Sequence, residues 1–176
     1  MIYFFKPLPA NDMDFSDYKP FIQNEWFRKN FMKFVYVLQL LLILLSIAFG
    51  VWDFSNWFIK IIVFGATFTC HELLHILAVY KKGDISLTRA GIFFWLNSSA
   101  IMSKKRFLFF MILPFTVLTV IPLFLLFLTD GYLFRILRYI VWVNAIISGS
   151  DIINSLLIAL KPSHAKFCRG YYILEK

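Results

Sequence analysis

Four stretches in which apolar side chains follow one another almost without interruption divide the chain: residues 34–50, 57–80, 107–128 and 132–160. A helix needs roughly 17–25 such residues to cross hydrocarbon, so the pattern predicts four membrane-spanning helices rather than the half-polar stripes of a soluble fold. The first run starts too late and extends too far for a cleaved signal, although Ser46-Ile47-Ala48 resembles a cleavage site, and it reads as a retained span. The last run holds 29 residues, more than one straight crossing, which predicts tilt or a break near Ser148-Gly149-Ser150. Pro114 and Pro122 predict a bend in the third.

The segments between the runs are of two kinds. Residues 51–56 and 129–131 are short turns, whereas 81–106 is too polar to cross and too apolar to be a solvated linker. Within it, Ile85-Ser86-Leu87-Thr88 alternates and 92–96 is β-prone. Asn97-Ser98 is placed to turn the chain back through 99–103. This predicts a short membrane-associated β-hairpin or re-entrant loop. Residues 1–33 read as an extended arm (Pro7, Pro9, Pro20), followed by a basic interfacial turn or helix at Trp26-Phe27-Arg28-Lys29. Residues 161–176 form a short basic tail in which Tyr171-Tyr172-Ile173-Leu174 is a candidate strand. The expected organisation is an all-α membrane protein: an interfacial arm (1–33), a four-span core (34–160) and a tail (161–176).

Composition agrees. Of 176 residues, 60% are hydrophobic and 16% charged, against about 45–50% and about 25% in an ordinary soluble domain. Seven Gly and six Pro exclude collagen-like or linker-like chains. The net charge of +8 would raise the question of nucleic acid, but its placement answers it. Fifteen of 18 Lys and Arg lie in 1–33, 81–106 and 161–176, and none lies in the two short turns. Basic loops stay cytoplasmic, so both termini and the long loop are expected there, and no nucleic-acid partner is implied. Trp52, Trp57 and Tyr132 suit the opposite interface, where Arg135 and Arg138 can snorkel. Two distant cysteines, Cys70 and Cys168, make no disulfide framework.

The chemistry lies in the second run, at His71-Glu72-Leu73-Leu74-His75. With three His and three Glu in the chain, a chance HExxH is on the order of one in a thousand. On a helix, residues four apart stack, so His71 and His75 can present imidazole nitrogens to one Zn²⁺. Glu72 stands about 100° around the axis, able to reach a zinc-activated water without ligating the ion, take its proton and pass it to a leaving amine. Ionisable groups inside a membrane cost roughly 2.5–3.5 kcal/mol each even on lenient scales, which makes a merely structural role hard to sustain.

A catalytic zinc takes a third protein ligand. Of ten acidic residues only Glu72 and Asp151 fall inside a run, and elimination nominates Asp151. At about 1.5 Å per residue, HELLH lies roughly 10 Å and Asp151 about 13 Å from the cytoplasmic ends of their spans, so their heights match. Asn144, Ser148, Asp151 and Ser155 form one polar stripe. The serines are expected to hydrogen-bond between helices, and Asn144 or Asn154 to hold substrate backbone or an oxyanion. Gly65-Ala66-Thr67 would admit a close neighbour, Cys70 reads as a buried thiol, and His164 as a surface residue.

On these residues the chain resembles the small bacterial membrane proteins grouped as putative zincin peptidases, over roughly 57–176: HELLH, Pro114, Asn144 with Gly149-Ser150-Asp151-Ile152-Ile153-Asn154, and Lys161-Pro162. In general plan it resembles the site-2 proteases, whose third zinc ligand is a distal Asp in an Asn, Pro, Asp-Gly context. Here no Pro lies between Asn144 and Asp151, and Ile152 replaces the Gly. The resemblance implies a multi-pass enzyme of the bacterial plasma membrane acting on membrane-associated or transmembrane peptides. A zinc-dependent membrane-embedded endopeptidase is the function expected. The alternatives are a non-proteolytic zinc-binding regulatory or peptide-immunity factor, and a transporter. Substrate and oligomeric state have no signature in the sequence.

Overall fold

A computed structural model describes residues 1–6, 8, 15–53, 55–90 and 93–174. Pro7 and Pro9 of the predicted arm, Ile92 of the β-prone run, and Asp12, Asp14, Glu175 and Lys176 lie outside the described residues. The protein is mostly helical. Helix α1 (Glu25–Ala48) begins well ahead of the apolar run because Asn24 caps it, accepting from the Phe27 amide at 2.8 Å. Helix α2 (Trp57–Val79) starts the same way, with Asn56 accepting from the Ile59 amide at 3.0 Å.

Helix α3 (Lys104–Phe115) contains Pro114 and relaxes into a π turn at Thr116–Val120. Helix α4 (Ile121–Leu125) and a 3₁₀ turn (Leu126–Leu128) complete that span. The long last run is broken, as its length required. Helices α5 (Gly131–Ile147) and α6 (Gly149–Ala159) meet at Ser148 with a 61° bend. Three helical stretches are long and apolar enough to cross a membrane, and the bent pair can make a fourth. They leave Leu40, Leu41, Leu44, Ile61, Ile62, Phe64 and Phe124 exposed, a continuous apolar exterior that suits lipid and not water.

The break is held from α1. Gln39 donates from Nε2 to the Ile146 carbonyl at 3.1 Å. Gly149 lets α1 come that close, since a Cβ there would lie 3.0 Å from Gln39 Cγ.

The chain is not all-α. Strand β1 (Ile2–Phe4) pairs in parallel with β3 (Ile85–Ala90), and β3 pairs antiparallel with β4 (Phe93–Ser98). A second sheet runs β2 (Lys19–Pro20), β7 (Tyr171–Leu174), β6 (Ala165–Cys168) and β5 (Met102–Ser103). Asn97 and Ser98 do not turn the chain back: they lie inside β4, paired with Ser86 and Ile85. Those two residues carry turn chemistry but use it within and beside the strand. Asn97 donates across the pair to Thr88 Oγ1 at 3.3 Å, and Ser98 Oγ accepts from the Ala100 amide at 3.1 Å. Arg169 (φ 47°) and Gly170 (φ 82°) form the tight two-residue turn between β6 and β7.

Every strand belongs to a segment entering α1 or α3 or leaving α2 or α6, so both sheets gather at one end of the helices. Ala78, Val79, Ile85, Ala100, Met102 and Phe110 pack together there, beside a second cluster of Phe21, Ile158, Ala165, Phe167 and Tyr172. Helix α3 packs against both α2 and α6.

Candidate metal centre

His71 and His75 lie on the last turns of α2, both buried, with ring centroids 4.9 Å apart and ring planes at 78°. Across from them, in the first turn of α6, Asp151 is also buried. Its Oδ2 lies 3.1 Å from His71 Nε2 and 3.2 Å from His75 Nε2. One ligand atom from each of the three lies within 4.8 Å of the others. Residues 71, 75 and 151 therefore meet at one height, although 76 positions separate His75 from Asp151.

The far side of each ring is also occupied. His71 Nδ1 faces Asn144 Oδ1 at 2.9 Å. That oxygen is turned toward the ring because the amide nitrogen of Asn144 donates to the Pro114 carbonyl at 3.2 Å and to Thr119 Oγ1 at 2.9 Å. His75 Nδ1 faces the Phe110 carbonyl at 2.8 Å, with the Phe110 ring against the imidazole at 4.8 Å. A carbonyl oxygen can only accept, so both Nδ1 atoms carry hydrogen, and toward a bound metal each ring would present its Nε2 lone pair.

Two imidazole Nε2 atoms and a carboxylate oxygen thus converge among buried side chains, an arrangement that suits a cation. The two spacings from Asp151 to the imidazoles fit zinc. Tetrahedral ligands at about 2.0–2.1 Å from an ion stand roughly 3.3 Å from one another, close to the observed 3.1 and 3.2 Å. Two imidazoles and one carboxylate leave the fourth position for water or substrate, the pattern of a catalytic site.

Helix α3 sets the two ligand-bearing helices in register. Arg106 Nη2 donates to the Ala78 carbonyl at the end of α2 at 3.0 Å. Lys104 Nζ donates to the Ala159 carbonyl at the end of α6 at 2.8 Å and also to the Lys161 carbonyl. Cations on the terminal carbonyls of two helices favour those ends electrostatically and tie them to one point.

Glu72 is half-buried, next to His71 in the sequence of α2. Asn144 is fully buried with its amide committed to His71, Pro114 and Thr119, which leaves no free group for substrate. Asn154 is half-buried on α6 and outside the ligand group.

The expected interhelical bonds of Ser148 and Ser155 do not form: both hydroxyls are buried without a partner among the described residues. Gly65 and Ala66 lie exposed with no neighbour within 4 Å of a Cβ at Gly65. Cys70 is exposed rather than buried, on the outer face of α2. Cys168 is buried in β6, where loss of solvent raises its thiol pKa, and it donates to the Ser99 carbonyl at 3.7 Å. His164 is exposed, as expected.

Four contributors escaped the sequence reading: Thr119, Gln39, and the carbonyls of Phe110 and Pro114. A carbonyl has no side-chain signature, but Gln39, a lone amide within the first apolar run, was a visible anomaly.

Helices fit for a membrane, joined at one end around a buried His, His, Asp site with a neighbouring Glu, define a zincin-type protein. The profile of the family described as "Putative zincin peptidase" matches residues 64–166, more than half of the chain, and the chain belongs to that family. Zinc is the cofactor the family implies and the geometry accepts. Helix α1 and strands β1 and β2 lie outside the match. No curated protein and no solved structure matches the chain significantly.

Proposed function

We propose that the protein is a zinc-dependent, membrane-embedded endopeptidase that hydrolyses a peptide bond within or beside the bilayer, at the cytoplasmic side. The observation that carries this reading is the convergence of His71 Nε2, His75 Nε2 and Asp151 Oδ2, with Glu72 next to His71 on α2. When bound, zinc supplies a Lewis acid that activates water and polarises the peptide carbonyl.

His71, His75 and Asp151 hold the ion, and Asn144 holds the His71 ring. The Glu72 carboxylate accepts a proton from the attacking water and delivers it to the departing amine nitrogen. Asn154, half-buried on α6, is the side chain assigned to hold substrate backbone. The partner is a membrane-associated or transmembrane peptide. Strand β4 ends its sheet, and its outer edge can take up an extended segment as an added strand, which aligns the backbone for cleavage. The excess of Lys and Arg on the loops at the sheet end supports both termini in the cytoplasm.

The Glu72→Gln variant tests the assignment. It is expected to keep about one zinc per chain while cleavage of a membrane substrate falls by about 10²–10⁴-fold, the usual contribution of a general base. Cleavage at the wild-type rate would remove Glu72 from the role.

A further inference from the structure

Pro114 sits inside α3 and is almost fully buried. In an α-helix the amide of residue 114 would bond the carbonyl of residue 110. Proline has no N–H, and its ring crowds that same carbonyl and turns it out of the ladder. The carbonyl so released is that of Phe110, and it is the one that faces His75 Nδ1 at 2.8 Å. Pro114 has a second connection to the site. Its own carbonyl accepts from Asn144, whose Oδ1 faces His71 Nδ1. Both imidazoles are thus held through two carbonyls one turn apart on α3, those of Phe110 and Pro114.

We propose that Pro114 is a positioning residue for the metal centre: by withholding an N–H from the Phe110 carbonyl, it leaves that oxygen free to fix the ring orientation and tautomer of His75. This rests on the reading of His71, His75 and Asp151 as zinc ligands. The physical alternative within α3 is an ordinary helix, in which the Phe110 oxygen is shared between an in-line amide and the imidazole. The bond that keeps His75 Nε2 unprotonated and pointed at the ion is then weakened and redirected by that competition. Partners of this kind typically carry 10–100-fold in metal affinity.

Pro114→Ala supplies the missing N–H while keeping the carbonyl that Asn144 uses. Zn²⁺ affinity of the purified protein is expected to fall by about 10–100-fold, and the visible spectrum of the Co²⁺ form to change with the altered His75 bond. Pro122→Ala is the matched control. That proline is buried in the same span and is expected to leave both readouts at wild-type values. The discriminating variant is a backbone ester at 114, made by incorporating an α-hydroxy acid. It lacks both ring and N–H, and it is expected to bind Zn²⁺ as wild type does.

Wild-type affinity in Pro114→Ala would overturn the proposal. So would an ester variant as weak as Pro114→Ala, because the ring and not the missing N–H would then matter. If Pro114→Ala does not fold, judged by helicity in detergent, the ester variant alone decides in the same two ways. A wild-type protein that binds no Zn²⁺ overturns the metal reading itself, an outcome distinct from either.

Discussion

The two halves of the metal centre are built in opposite ways. On α2, His71, Glu72 and His75 come from five consecutive residues of an unbroken helix, and their geometry follows from helical spacing alone. On the α5–α6 side, one ligand is supplied by a span that breaks by 61° at Ser148, just before Asp151. Its position depends on Gln39 from α1, Gly149 at the contact, and Lys104 at the far end of α6. The first half is local and needs little support. The second is long-range, and its accuracy is assembled from side chains scattered over the chain.

The sharpest way to break this comparison is to remove the long-range ligand. Asp151→Ala leaves two imidazoles, too few for a stable catalytic site, and purified protein is expected to lose its stoichiometric zinc by metal analysis. Undiminished zinc would mean that α2 suffices alone. A smaller effect is expected from Asn144→Leu. That change fills similar volume but leaves His71 Nδ1 without its acceptor, and Zn²⁺ affinity should drop by about 10–100-fold, measured by competition with a chelator. Wild-type affinity there would show that the His71 ring is held by packing alone.

Smallest is Gly149→Ala, which places a Cβ 3.0 Å from Gln39 Cγ. Overpacking of this kind costs about 1–3 kcal/mol, read as a lower unfolding midpoint in detergent. Adding Gln39→Ala is expected to restore part of it. Strict additivity of the two changes would show that α1 does not act on the break through this contact.

The same contrast explains what could be read without coordinates. The spans announced themselves because hydrocarbon demands long apolar runs, and HELLH because its spacing has a direct geometric meaning. Asp151 was reachable through scarcity, since only one other acidic residue lies inside a run. The break at Ser148 followed from a run too long for one crossing.

The small sheets were harder to see. Strands of two or three residues such as β1, β2 and β5 owe their pairing to distant partners and leave no period in the sequence. Asn97 and Ser98 misled for a related reason, because residues favoured in turns also serve at strand ends when their side chains find acceptors and donors nearby. Asn144 carried the right prominence but the wrong task. A buried amide reads the same in a sequence whether it faces substrate or a ligand's far side. Pro114 was visible as a bend, yet its relation to His75 required knowing which helix would face the freed carbonyl.

X-ray absorption at the zinc edge of the purified wild-type protein tests the centre most directly. The result expected is a shell of nitrogen and oxygen at about 2.0–2.1 Å with the outer-shell scattering of two imidazoles. Sulfur at about 2.3 Å, or scattering from a single imidazole, would contradict a site made of His71, His75 and Asp151.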